Sequence, residues 1–176
     1  NELLSNLVCD KLLLHRGGGL TGVGVTARPP MSADALWRAV AAGEAPALEE
    51  TPVALAPDPA RDALLAALAP LIADAHALGH DPLPLYYNAG VPAFVDGIAS
   101  ILTGPDRFGL ALLVDYGGTS RHVLDPRFSH LRVYGRIGAE SPLETPGELD
   151  ITWDFDFTQL GLVAEERGLA LLHLGH

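Results

Sequence analysis

The feature that most constrains the fold is a continuous apolar run, FGLALLVD, at residues 108–115. A strand that is apolar on both faces is typical of the interior of a parallel sheet, where helices cover both faces. The run ends in Asp115, and Tyr116 and two glycines follow it. The sequence therefore predicts an α/β layered fold with this run as a central strand.

Patterns of apolar residues, caps and glycines predict the other elements. Further strands are predicted at 2–5, 11–16, 20–27, about 51–56, 131–134, 150–157 and 169–174. Helices are predicted at 33–43 after the cap Ser32, at 59–78 after the cap Asp58, at 94–102 and at 158–168.

The stretch HRGGGLTGVGV contains the spacing G-x-G-x-x-G at Gly17, Gly19 and Gly22. A dinucleotide-binding loop needs a helix that begins at the last glycine, because the helix N-terminus holds the phosphates. Here VGVTARPP follows Gly22, and valines, glycine and prolines cannot begin a helix of useful length. The context instead predicts a β-hairpin with its turn at residues 17–19.

Charge and composition exclude several classes of function. The formal net charge is −11, with 22 acidic and 11 basic residues, so binding to nucleic acid or to an anionic membrane surface is not expected. The apolar runs are too short to span a bilayer. The single cysteine, Cys9, lies in an apolar run, which favours a buried, unreactive thiol.

Two histidines have the spacing of metal ligands on a helix. His76 and His80 are four residues apart, but Gly79 is expected to end the helix between them, and no H-E-x-x-H motif is present. The sequence therefore indicates a polar helix end here, and we expect no metal site.

Three carboxylates, Asp150, Asp154 and Asp156, alternate with aromatic residues in DITWDFDF. On a strand they share the face opposite the aromatic side chains. This face could be an ordinary solvated surface or could line a cleft, and the sequence alone leaves both open.

Polar residues at the ends of predicted strands are the best candidates for a site. In open α/β sheets, ligands bind beyond the carboxyl ends of the strands. Asn6 follows the predicted strand at 2–5, and Asp115 and Tyr116 follow the central run.

Four stretches, taken together, resemble one family. SNLVCDKLLLHR resembles the motif A-N-E-x-x-D-A-x-P-V-H-R of the MidA-like family of S-adenosylmethionine-dependent methyltransferases, which includes the mitochondrial enzyme that methylates an arginine of a complex I subunit. LALLVDYG resembles A-L-L-I-D-Y-G, and LRVYGR is similar to L-R-x-Y-R-R. SPLETPGELDITWDFDFTQL resembles D-P-L-x-x-P-G-x-x-D-L-T-x-H-V-D-F-x-x-L. The order and spacing agree over nearly the whole chain.

The resemblance implies the C-terminal part of a class I, Rossmann-like methyltransferase sheet. Residues 1–10 and 106–176 would be the core from its fourth strand onward, and residues 11–105 an insertion with a β-hairpin and helices that covers the cleft. Its glycine-rich cofactor loop would lie before Asn1.

The resemblance also implies a cofactor, a site and partners. The cofactor would be S-adenosylmethionine, with Asn6 and Asp10 as catalytic residues beside the methyl acceptor and Asn6, Asp115 and Tyr116 as cofactor-binding residues. The implied acceptor is an arginine of a protein substrate, and a homodimer is allowed. The location would be cytoplasmic, or the mitochondrial matrix in a eukaryote.

Departures from the family pattern keep an alternative open. Leu7 stands where the family has Glu, Lys11 where it has Ala, Leu13 where it has Pro, and Asp154 where it has His. The alternative is a catalytically inactive relative that serves as a protein-interaction module.

Overall fold

The computed structural model describes Leu4, Leu7 and residues 9–104, 108–125, 127–135, 141–146 and 148–174, and over these residues the fold is mixed α/β. The strands are β1 (Asp10–Leu14), β2 (Leu20–Arg28), β3 (Ala47–Val53), β4 (Leu83–Tyr87), β5 (Gly117–Gly118), β6 (Leu131–Tyr134), β7 (Asp150–Trp153) and β8 (Phe155–Asp156). The helices are α1 (Ala33–Ala41), α2 (Pro59–Ala77), α3 (Val91–Leu102), α4 (Ser120–Val123) and α5 (Phe157–Glu166).

The predicted hairpin is confirmed. β1 and β2 pair antiparallel with Leu14 opposite Leu20, and Gly18 in the turn has a φ of 81°. The His15 backbone accepts from Gly18 N–H and donates to the Gly19 carbonyl, both at 2.9 Å. The G-x-G-x-x-G spacing therefore serves a tight turn and does not open a helix.

This hairpin is the centre of a four-stranded antiparallel sheet with the order β3-β2-β1-β4. Helix α2 covers one face, so that Leu64 and Leu68 share a core with Leu12, Leu14 and Leu85. The helix begins as predicted: the Asp58 carboxylate accepts from the Ala60 and Arg61 N–H groups, and Pro59 occupies the first turn.

A second core lies between α3 and α5. It combines Val91 and Val95 of α3 with Leu160 and Val163 of α5, and Phe155 and Leu4 complete it. The predicted helices at 94–102 and 158–168 are thus confirmed, with α3 beginning three residues earlier than predicted.

The predicted strand 150–157 is divided into two short strands with different partners. β7 pairs antiparallel with β6, whereas β8 pairs parallel with β5. The division occurs at Asp154, whose backbone N–H donates to the His130 carbonyl at 2.9 Å instead of to a neighbouring strand.

Two sequence predictions are wrong. Residues 108–115 and 169–174 contain no strand, and most of their side chains are exposed. Leu110 is 72 % exposed and Leu112 is 84 % exposed. Both runs have the composition of doubly covered strands, but no other described segment supplies the paired backbone or the covering helices that such strands need.

The predicted strand at 2–5 lies outside the described residues except for Leu4, which is buried. Among the helices that the structure describes, none combines the length and the hydropathy required to cross a bilayer.

Candidate active site

Leu4 is joined through both of its backbone groups to side chains from distant parts of the chain. Its N–H donates to Asp115 Oδ2 at 2.7 Å, and its carbonyl accepts from Asn88 Nδ2 at 3.3 Å. The second oxygen of Asp115 accepts from the Tyr116 N–H at 2.8 Å. Leu4, from the predicted strand at 2–5, therefore lies beside Asp115 at the end of the apolar run 108–115.

Asn88 is in turn held by Gln159 of α5. The Gln159 side chain accepts from the Asn88 N–H at 3.2 Å and donates to the Asn88 carbonyl at 2.9 Å. Both residues are 2 % exposed, so these hydrogen bonds are shielded from water. We call Leu4, Asn88, Asp115 and Gln159 the Leu4 junction.

Sequence reasoning predicted Asp115 but missed Asn88 and Gln159. Asn88 appeared only as part of a proline-rich loop, although it begins the turn that leads into α3 and its Oδ1 accepts from the Gly90 N–H at 3.2 Å. An asparagine in that position is a local turn signal. No local signal indicates its contact with Gln159, which is 71 residues away.

Asp10 lies at the start of β1, opposite Tyr87 of β4. It is exposed and borders a groove of about 480 Å³ that Asp58 and Arg61 also line. Burial and the neighbouring Asp58 carboxylate raise the pKa of Tyr87 above its usual range. Because Tyr87 directly precedes Asn88, β4 connects this groove to the Leu4 junction. Asn6, the remaining predicted site residue, lies outside the described residues.

Tyr116 has an exposed side chain, but its backbone carbonyl is hydrogen-bonded. Its carbonyl accepts from the Phe155 N–H at 3.0 Å, and its side chain is 54 % exposed. Next to it, Gly117 has a φ of 154°, and a Cβ there would lie 2.1 Å from the Phe155 oxygen. Position 117 therefore requires glycine, because a side chain there would prevent β5 from approaching β8.

The three aspartates of 150–156 occupy three different environments, and so neither sequence-based alternative describes them. Asp150 is exposed and Asp156 is buried. Asp156 caps α5 through Thr158 N–H at 2.8 Å and accepts from Ser120 Oγ at 2.5 Å. Burial raises its pKa above the usual value, against the effect of these hydrogen bonds.

Asp154 lies in a group of positively charged and imidazole side chains. Its Oδ1 accepts from Arg132 at 2.5 Å, and its Oδ2 lies 3.0 Å from His130 Nδ1 and 3.8 Å from His122 Nε2. Partial burial acts to raise the pKa of Asp154, but the hydrogen bonds from His130 and Arg132 outweigh burial and leave that pKa below its usual value.

His76 and His80 do not bring two rings together. His76 Nδ1 lies 2.7 Å from the backbone carbonyl of His80, which is the only part of His80 in this contact. Arg16 donates to the His76 carbonyl at 2.6 Å, and this hydrogen bond joins the hairpin to the end of α2.

The Cys9 thiol has a raised pKa of about 12. Burial is the larger cause and the nearby Asp10 the smaller one. A thiol with so high a pKa is unreactive, which agrees with the sequence-based prediction.

Comparison with known proteins identifies the family. Residues 1–174 match the model of a family described as "Putative S-adenosyl-L-methionine-dependent methyltransferase", and the chain belongs to this family. No curated protein matches the chain.

One solved structure shares the fold. It is described as a "likely methyl transferase" from Burkholderia thailandensis, crystallised with S-adenosyl-homocysteine. The two chains are 20 % identical, with a TM-score of 0.57, and the match covers 96 % of this chain and 36 % of that one. The chain therefore spans about a third of the length of this structural relative. S-adenosylmethionine is the cofactor of the family, as the resemblance in the sequence implied.

Proposed function

We propose that this chain forms the C-terminal part of the Rossmann-like sheet of a MidA-like, class I methyltransferase. The observation that carries the proposal is the family match over residues 1–174. The hydrogen bond from Leu4 N–H to Asp115 supports it, because it joins two segments that the resemblance makes the fourth and fifth strands of the full-length sheet, although residues 108–115 are not a strand in this structure. Ligands of open α/β sheets bind at the carboxyl ends of such strands.

The residues of the site would position a methyl donor and an acceptor. When bound, S-adenosylmethionine supplies an electrophilic methyl group on a sulfonium sulfur. Asp115 and Tyr116 would shape the cofactor cleft together with Asn6, and residues 11–105 would cover it and exclude water. Asp10 and Asn6 would orient the acceptor so that its nucleophile lies in line with the methyl group.

The proposed acceptor is an arginine of a protein substrate. The net charge of −11 favours the approach of a cationic side chain. The acceptor nitrogen forms a bond to the methyl carbon while the carbon–sulfur bond breaks, and S-adenosylhomocysteine leaves with the electron pair. The nitrogen then loses one proton, for which the exposed carboxylate of Asp10 is the proposed base.

Calorimetric titration of the full-length protein with S-adenosylhomocysteine tests the proposal. We expect saturable binding at one site, and at least tenfold weaker binding in Asp115→Asn, because one acceptor in the hydrogen bonds from Leu4 and Tyr116 is replaced by an amide. The matched control is Asp150→Asn, which changes an exposed aspartate in β7 and should bind like the wild type. Absence of binding by the wild-type full-length protein would overturn the proposal.

A further inference from the structure

Three side chains that the proposed methyltransferase site does not use converge on one point. His122 belongs to α4, His130 directly precedes β6, and Asp154 stands between β7 and β8. Their nearest ligand atoms, one from each residue, all lie within 4.8 Å of one another. We propose that His122, His130 and Asp154 bind a divalent transition-metal ion of the zinc type.

Both ring nitrogens of His130 face oxygen atoms, so the ring needs either a second proton or a metal ion at Nδ1. Its Nε2 lies 3.1 Å from the Asp125 backbone carbonyl, which can only accept, so Nε2 carries hydrogen. In the neutral ring the Nδ1 lone pair then faces Asp154 Oδ2 at 3.0 Å. A cation between these two atoms satisfies both. A backbone carbonyl on the outer N–H is also the usual arrangement for a metal-binding histidine.

His122 adds a third ligand atom beside the pair of His130 and Asp154, and this third atom favours a metal ion over a proton shared by two groups. A proton needs only two partners, yet His122 Nε2 also approaches Asp154 Oδ2, at 3.8 Å. Two ligand atoms bound tetrahedrally to zinc lie about 3.3 Å apart. The observed separations of 3.0 and 3.8 Å from Asp154 Oδ2 lie on either side of that value.

The protein positions each of the three side chains independently. Arg132 holds Asp154 Oδ1 at 2.5 Å and leaves Oδ2 facing the histidines. The His122 ring packs against His130 and Phe128, with ring centroids 5.0 and 5.8 Å apart. Gly118 leaves room for it, since a Cβ there would lie 2.7 Å from His122 Cδ2.

The cluster is accessible from solvent. The His122 side chain is 47 % exposed and borders a groove of about 460 Å³ that Thr119, Asp125 and Arg127 also line. With three protein ligands and an open side, the site leaves a position for water or another ligand, as zinc sites with three protein ligands do.

Sequence spacing did not indicate this site because the ligands are 8 and 24 residues apart along the chain and only His122 lies within a helix or strand. Of the three residues, only Asp154 was singled out from the sequence, and it stands where the MidA-like family has His.

Cobalt binding tests the inference. The full-length protein is treated with chelator, desalted and titrated with Co²⁺, and the visible absorption of tetrahedral Co²⁺ and competition by Zn²⁺ are recorded. We expect one equivalent to bind, and His122→Ala to weaken binding at least tenfold with no change in circular dichroism, because this ring is half exposed. His173→Ala removes an exposed imidazole elsewhere and should bind Co²⁺ like the wild type.

Two results would overturn the inference: no stoichiometric Co²⁺ or Zn²⁺ binding by the wild type, or equal affinity in His122→Ala. Because the titration contains no S-adenosyl compound, its outcome is independent of the cofactor titration described above. Asp154→Asn gives a second variant, which keeps the hydrogen-bonding shape beside Arg132 and is expected to lose the absorption band.

Discussion

Individual polar side chains join distant segments of this protein in addition to the two apolar cores. Gln159 reaches from α5 to both backbone groups of Asn88, and the Asn88 side chain reaches the Leu4 carbonyl. A buried polar group without a partner is costly, so each of these side chains fixes the segment that it contacts. The Leu4 junction therefore depends on side-chain hydrogen bonds that no secondary structure replaces.

Replacing Gln159 by Leu should destabilise the protein strongly. The Asn88 N–H would remain buried without its partner, whereas the Asn88 carbonyl would keep the hydrogen bond from the Val91 N–H at 3.2 Å. The expected loss in free energy of unfolding is about 1–3 kcal/mol. Urea unfolding followed by circular dichroism measures it. Glu165→Gln, an exposed change on the same helix, should stay within about 0.5 kcal/mol. A loss below about 1 kcal/mol for Gln159→Leu would show that water or a rearranged backbone satisfies Asn88.

At the scale of elements, local signals place the helices well and the short strands poorly. Ser32 and Asp58 accept from N–H groups of the first turns of α1 and α2, as predicted from residue type and position alone. β5 and β8 contain two residues each and exist only through their pairing with each other. The close approach at Gly117 decides that pairing.

Gly117→Ala should disrupt the β5–β8 pair. A Cβ at this position would lie 2.1 Å from the Phe155 oxygen, so the strands must separate, and we expect a loss of more than about 2 kcal/mol in stability. The matched control is Gly97→Ala in α3, where a Cβ meets nothing within 4 Å. That change should stabilise the protein by up to about 1 kcal/mol through helix propensity. Equal thermal midpoints for the two variants would contradict this account of Gly117.

At the scale of the whole molecule, the main feature is an uncovered apolar surface. Phe108, Leu110, Leu112 and Val114 are each more than half exposed. They form a run with the composition of a central strand. Large exposed apolar patches are rare in monomeric soluble proteins and mark sites of association.

The 176-residue polypeptide on its own should therefore self-associate through this run. Replacing Leu110 and Leu112 together by Lys should reduce the sedimentation-average mass and the binding of an apolar dye, because two exposed apolar side chains become charged. Trp37→Lys with Leu78→Lys makes the same charge change at exposed apolar positions outside the run. If both double variants sediment alike, net charge and not this surface controls the association.

The sequence by itself determined the hairpin, the capped helices and the S-adenosylmethionine-dependent methyltransferase class. Each of these depends on residues close together in the chain or on motifs with fixed spacing. The sequence could not determine strand status for residues 108–115 and 169–174, because a strand exists only when another segment supplies its hydrogen-bonding partner. Only the tertiary structure brought Asn88 and Gln159 to Leu4, and only it gathered His122, His130 and Asp154 around one point. These contacts are decided by packing between elements, which local sequence does not encode.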